Sequence, residues 1–266
     1  MRVRLALYGV AVFLMNAMLT SEFVRKTQLE SDQIAARQIQ QTLHPDKLDD
    51  MPGYQVEMVY EPYRDVGGDY FDVIDLPGNR TLFALADVSG KGMPAALLAA
   101  NVQALVRSTA VVSPDPLALA RHINKHLSRY TPSDRFATAV FIVLYRDSGE
   151  LTYVNAGHNS PMVFCSASAT FLEATGVTLG LFPDAEYESR TAMVRPGDSV
   201  LVFTDGLTDS IPGPDPENRL RAAFPDHPGT TMSNLKSLID PKFNQDDVTI
   251  LLVKRTAGSA PSGVSA

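Results

Sequence analysis

The sequence predicts an α+β fold built on antiparallel strands. Three observations carry this. Strand-like runs come in consecutive groups, beginning with Tyr54–Tyr60, Tyr70–Leu76 and Thr81–Ala86. Two helical stretches, Met93–Val112 and Asp115–Tyr130, then follow one another directly. Strand runs resume at Phe136 and recur to Lys254. The strict strand–helix–strand alternation of a doubly wound parallel sheet is missing, and there is no internal repeat.

The elements read in order as follows. Residues 1–24 form an apolar N-terminal segment. Leu5–Leu19 is nearly all apolar, interrupted by Gly9 and Asn16, with Arg2 and Arg4 before it and Arg25 and Lys26 after it. Its clean apolar part is shorter than the ~20 residues that span a bilayer, and reaching Val24 takes in Ser21 and Glu22. Three readings stay open: a membrane anchor, a helix packed on protein, and a secretory signal, the last disfavoured because no small-x-small cleavage site follows. Residues 25–47 read as a connector helix. Ala35, Ile39 and Leu43 share one face, suited to docking on the next domain or pairing with a second copy of the chain, and His44-Pro45 ends it.

Residues 48–256 read as the folded domain. Turns are expected at Pro62–Gly68 and Pro77-Gly78-Asn79, grouping the first three strands together. Pro94 suits the first turn of the Met93–Val112 helix. Phe136–Arg146 and Glu150–Asn155 read as a hairpin around Asp147-Ser148-Gly149. Pro161–Phe164, Thr170–Glu173, Tyr187–Val194 and Ser199–Thr204 are further strands, Asn218–Phe224 and Thr231–Ile239 short helices, and Asp247–Lys254 a closing buried strand. The Gly/Ser/Ala-rich tail, 257–266, is expected to be disordered.

The 266 residues allow one large domain with an appendage, or two small domains. A net charge of −7 without any Lys/Arg-rich run argues against a nucleic-acid partner. The single cysteine, Cys165, excludes an intrachain disulfide framework and fits a reducing, cytoplasmic setting. Cys165 reads as a small apolar residue. A thiol phosphatase would need Arg at position 171, where Phe171 stands.

Chemistry concentrates in four acidic motifs: Gly67-Gly68-Asp69, Asp87-Val88-Ser89-Gly90-Lys91-Gly92, Thr204-Asp205-Gly206 and Asp246-Asp247. Each sets a carboxylate at a strand end or in a Gly-rich turn. Such oxygens suit hard divalent cations, and unpaired carboxylates converging without a counter-charge would repel. A phosphate-cradling P-loop is excluded, because Lys91 is followed by Gly92 rather than Ser or Thr. Of Asp246 and Asp247, adjacent in an extended segment, only one would face a given site; the other would orient loops. His158, in a turn after a strand, reads as structural. His44, His122, His126 and His227 lack zinc-ligand spacing.

Taken together, these motifs and Asn155-Ala156-Gly157-His158-Asn159-Ser160-Pro161 resemble the PPM-type metal-dependent serine/threonine protein phosphatases, in their bacterial RsbU/SpoIIE-like branch. The resemblance covers about Met51 to Lys254. It implies a four-layer α-β-β-α sandwich, two antiparallel sheets flanked by helix pairs, with the N-terminal helix ahead of it. It implies two Mn²⁺ or Mg²⁺ ions, with Asp87 bridging them, Asp69 and the Val88 backbone carbonyl completing one shell, and Asp205 and Asp246 holding the other; Asp247 is the lesser ligand candidate. A water activated between the ions would attack phosphorus in line. Arg64 and Lys91 are candidates for binding substrate phosphate, Lys91 standing where better-known relatives carry a His that may act as general acid. The implied substrate is a small phosphorylated regulator such as an anti-anti-sigma factor. The implied upstream partner is a sensor or activator acting through the connector helix, with a homodimer and tethering to the inner membrane face also open. The competing reading is a catalytically weak module that binds metal and a partner.

Overall fold

The computed structural model describes residues 1–43, 51–63, 65–165, 168–222, 232–240 and 242–256. The tail at 257–266, together with Arg64, His44 and His227, lies outside the described residues. The first element is a single helix, α1, running unbroken from Arg2 to Leu43 over 42 residues. It merges the apolar segment and the connector, which the sequence had suggested as two elements. Neither Gly9 nor the polar stretch after Val24 interrupts the i→i−4 ladder, because no proline removes a donor along it.

Ten strands follow. β1 (Tyr54–Glu61), β6 (Met162–Cys165), β7 (Ser168–Phe171), β9 (Ser199–Phe203) and β10 (Val248–Arg255) form one antiparallel sheet in the order β1-β10-β9-β6-β7. The other, in the order β2-β3-β4-β5-β8, contains β2 (Asp69–Leu76), β3 (Arg80–Val88), β4 (Ala137–Tyr145), β5 (Glu150–Ala156) and β8 (Arg190–Met193). The grouping of the first three strands is thereby corrected. β2 and β3 make the expected hairpin at Pro77–Asn79, but β1 belongs to the opposite sheet and pairs with β10, Tyr54 facing Arg255 and Glu61 facing Val248. β1 and β2 thus belong to different sheets and close no hairpin, and the first and last strands lie side by side.

Three apolar layers hold this sandwich. Alternate residues of β3 serve two of them, as a strand's period of two requires. Leu82, Ala84 and Ala86 pack under α2 (Met93–Val112) and α3 (Pro116–Tyr130), against Val102, Val106, Leu119, Ile123 and Leu127. Phe83 and Leu85 point the other way, into the core between the sheets with Phe71, Val140, Ile142, Val202 and Leu251. The third layer lies outside the β1–β10 sheet. There Phe203, Leu207, Ile211, Leu220, Leu235 and Ile250 pack under three short helices, α4 (Asp205–Asp209), α5 (Pro216–Ala222) and α6 (Met232–Lys236). α4 stands where the sequence had suggested a strand-ending Asp-Gly turn.

Local chemistry sets the helix boundaries. Asp115 caps α3, its carboxylate accepting from the Ala118 N–H at 2.9 Å, with Pro116 just inside. α2 begins after Gly92, whose φ of 72° lies in the left-handed region that favours glycine.

Among the described residues α1 packs on α2, and the positions it buries, Ala36 and Gln40, lie in its last turns. Its buried face is Ala36 and Gln40, one residue along from the predicted Ala35–Ile39 face; Ile39 is 63% exposed. The reason is polar. The Gln40 side-chain amide donates to the Gly67 carbonyl at 2.7 Å and accepts from the Gly67 N–H at 3.0 Å, a bidentate match that fixes the rotation of the helix.

One buried charge fastens α2 to the sheet. Asp72 is fully buried and accepts from Arg107 Nε at 2.6 Å and Nη2 at 3.1 Å. Removing the guanidinium would leave a carboxylate buried without its partner. Arg107→Met is expected to destabilise the protein by about 3 kcal/mol, and the double variant with Asp72→Leu by clearly less, both read from urea unfolding.

Candidate active site

The site forms at one end of the sandwich, where strands from both sheets finish. Asp69 opens β2 and lies directly across from Asp87 near the end of β3. Asp205 is the first residue of α4, immediately after β9, and Asp246 and Asp247 lead into β10. Four segments distant in sequence therefore bring their carboxylates to one place.

Asp69 is held from the opposite sheet. Its Oδ2 accepts the hydroxyls of Thr204 at 2.8 Å and Thr249 at 2.5 Å. Thr204 occupies the N-cap position of α4, yet its hydroxyl makes no cap bond there, being turned to Asp69. Sequence reading missed both threonines. Thr249 did carry a signal, a polar residue within the otherwise apolar run of β10.

Asp247 organises loops. It is buried and accepts from the backbone N–H groups of Tyr63 at 2.8 Å and Gly68 at 2.6 Å. This explains the paired glycines better than a turn does. A side chain at Gly67 would collide with the Asp247 carboxylate and the Tyr60 hydroxyl. One at Gly68 would press on the Val88 carbonyl, 3.2 Å from its Cβ. Gly206 meets the same limit from the other side, where a Cβ would run into the Asp247 carbonyl. These glycines exist for close backbone approach.

Burial dominates the electrostatics, and neighbouring carboxylates add to it. Burial, reinforced by Asp205, Asp246 and Asp247, pushes the Asp87 carboxyl up to about 7. Asp69 is raised by burial and then by Asp87, against the pull of its threonine bonds. Asp205 is raised by burial and by Asp246. Asp247 is raised by burial, with the Tyr63 and Gly68 N–H groups opposing. Lys91 brings positive charge: Nζ lies 2.6 Å from Asp246 Oδ2, donates to the Gln245 carbonyl at 2.7 Å and sits 5.6 Å from the centre of the Tyr63 ring.

The donor set is made of hard oxygens and is short of positive charge, which fits a divalent cation. Among the described residues, however, no three carboxylate, His or Cys groups already close around a common point. Asp69, Asp246 and Asp247 are each bonded to protein partners in this arrangement.

His158 is a fixture. Its ring lies between the Thr138 hydroxyl, 2.8 Å from Nδ1, and the Phe203 carbonyl, 3.1 Å from Nε2, and burial lowers its pKa to about 4. The neutral ring with hydrogen on Nε2 donates to Phe203 and accepts from Thr138, joining the two sheets. Arg135, unremarked in the sequence, braces the Asp87 loop by donating from Nη1 to the Ser89 carbonyl at 3.1 Å.

Comparison with known proteins agrees with this fold. The family model described as Stage II sporulation protein E (SpoIIE) matches residues 77–256. The phosphoserine phosphatase RsbU of Bacillus subtilis is 27% identical over 184 residues, 68% of this chain and 55% of its own length. The chain spans about half the length, or less, of the curated relatives it matches. Among solved structures, the RsbU and RsbW domains of a Mycobacterium tuberculosis protein superpose with a TM-score of 0.68 at 26% identity, covering 79% of this chain and 63% of that one. The SiaA-PP2C domain of Pseudomonas aeruginosa superposes with a TM-score of 0.73 over 86% of this chain and 98% of its own, at 19% identity, which speaks to fold alone. The SpoIIE match covers the strands, helices and acidic motifs from β3 to β10, and the chain belongs to the SpoIIE family.

Proposed function

We propose that this chain is a divalent-cation-dependent protein phosphatase of bacterial signalling that hydrolyses phosphoserine or phosphothreonine on a small regulator such as an anti-anti-sigma factor. The observation that carries this reading is the meeting of Asp69, Asp87, Asp205, Asp246 and Asp247, from four separate segments, at one end of the sandwich. Kinship with RsbU, named as a phosphoserine phosphatase, supports the substrate class.

In this reading Asp87, Asp205 and Asp246, with Asp69 and the Val88 carbonyl, hold two Mn²⁺ or Mg²⁺ ions. Bound there, the cations supply Lewis-acid activation of water and neutralise charge on the phosphoryl oxygens. The protein's own part is placement. Thr204 and Thr249 hold Asp69, Asp247 pins the glycine loop beside Val88, and Arg135 keeps the Asp87 loop in position. Lys91 would have to leave Asp246 to reach a substrate phosphate.

α1 supplies the location. Its Leu7–Gln40 stretch reaches a mean hydropathy of 1.5 in a window none of which is buried, long and apolar enough to cross a membrane. We assign its apolar residues 5–24 as an anchor that holds the domain at the cytoplasmic face. The open Ala35–Ile39 side of the helix would take an upstream activator or a second copy of the chain.

One observation favours a weakly catalytic metal-binding module: Lys91 and the threonines already engage Asp246 and Asp69. Turnover decides between the two readings. Purified protein is expected to hydrolyse p-nitrophenyl phosphate only with Mn²⁺ or Mg²⁺, and Asp87→Ala to lose at least about a hundredfold in kcat. Metal binding without turnover would establish the module instead.

The raised Asp87 pKa fixes a pH trend. Between the ordinary carboxyl value of 3.8 and about 7, folded Asp87 holds more protons than the unfolded chain. The metal-free protein should therefore unfold at higher urea concentration at pH 5.5 than at pH 8, and added Mn²⁺ should stabilise it more at pH 8. Equal midpoints at both pH values in EDTA would contradict this electrostatic picture. For the anchor, the full chain should sediment with membranes and Leu14→Arg should shift it to the soluble fraction.

A further inference from the structure

Lys91 occupies a position that no general need of the fold explains. It lies in the loop between β3 and α2, flanked by Gly90 and Gly92, both at positive φ. Its ammonium reaches across to the segment leading into β10, contacting the Asp246 carboxylate at 2.6 Å and the Gln245 carbonyl at 2.7 Å. The face of Tyr63 lies beside it, 5.6 Å from the ring centre. Lys91 and Asp246 are 45% and 36% exposed, so this is a half-open ion pair, of a kind that stabilises weakly and exchanges readily. Among the described residues no ion pair reaches Asp69, Asp87, Asp205 or Asp247, whose proton affinity burial and neighbouring carboxylates raise.

We infer that Lys91 is a built-in counter-ion of the metal centre: it holds Asp246 in the cation's absence, gives up that carboxylate when the cation binds, and so weakens cation affinity on the Asp246 side. The inference rests on Asp246 being a ligand, as proposed above. Cation entry exchanges one ionic contact for another, and what the enzyme loses by releasing Lys91 appears as a higher cation concentration needed to fill the site. Lys91 is thus a positioning residue acting through Asp246, and its influence should be readable from binding alone.

The test is Mn²⁺ binding to the full chain in detergent micelles, followed by titration calorimetry and by the loss of the free-Mn²⁺ electron paramagnetic resonance signal. Lys91→Met and Lys91→Gln should each tighten the weaker Mn²⁺ site about fivefold, as expected for release of a half-exposed ion pair. In EDTA both variants should melt slightly below the parent, by no more than the loss of one half-exposed ion pair costs. Combined with Asp246→Asn, the same Lys91 changes should have no further effect on affinity. Unchanged or weaker Mn²⁺ binding in both Lys91 variants would overturn the inference while leaving the metal reading intact. Equal tightening in the Asp246→Asn background would also overturn it, by showing a general field effect. Absence of Mn²⁺ binding to the unaltered chain would instead overturn the metal reading itself, and the inference with it.

Discussion

The two sheets are joined at their functional end by polar bonds that also place charge. Asp69 belongs to the sheet of β2, but its carboxylate rests on hydroxyls from Thr204 and Thr249 of the opposite sheet. His158 repeats the device nearby, linking Thr138 to the Phe203 carbonyl. Away from this end the sheets meet through Phe71, Phe83, Val140 and Val202, which fix their separation but favour no chemistry. Where the apolar layer stops, the same closeness forces carboxylates together. Burial then costs Asp69, Asp87, Asp205 and Asp247 their ordinary acidity unless a cation intervenes. The need for positive charge follows from the fold.

That need also connects α1 to the site. Gln40 grips the backbone of Gly67, the Gly68 N–H donates to Asp247, and Asp69 follows next in the chain. Three consecutive residues thus carry the contact from the helix, the anchor of the loop and the buried carboxylate. The last turns of α1 also pack on α2, so a displacement of the helix would load this short backbone segment and α2 together. The glycines leave no side chain to absorb such a movement.

Much of this was legible in the residues. Period-two patterns located the strands, helix signals at Pro94 and Asp115 located α2 and α3, and the four acidic motifs pointed to a common chemistry. Partners set by distant parts of the chain were not legible. Tyr54–Glu61 alternates like any hairpin strand, and nothing within it says that its neighbour is Val248–Arg255. Apolar spacing suggested Ala35 and Ile39 as the docking face, but a buried amide at Gln40 outweighs it, since an unpaired Gln and an unpaired Gly67 peptide would cost more than one exposed isoleucine. Thr204 reads only as the end of a strand, and its hydroxyl is spent on Asp69. α4 is too short for its periodicity to show. Family membership fixes the architecture and the order of motifs, while the roles of individual carboxylates come from their contacts.

The central claim is that Asp69, Asp87, Asp205 and Asp246 share divalent cations. Anomalous diffraction from crystals soaked in Mn²⁺, recorded on either side of the manganese edge, tests it most directly. The account predicts manganese peaks at the β2–β3 end of the sandwich, with Asp87 oxygens in contact and Asp205 or Asp246 completing a shell. Peaks elsewhere, or none at Asp87 at millimolar Mn²⁺ and pH 8, would contradict it.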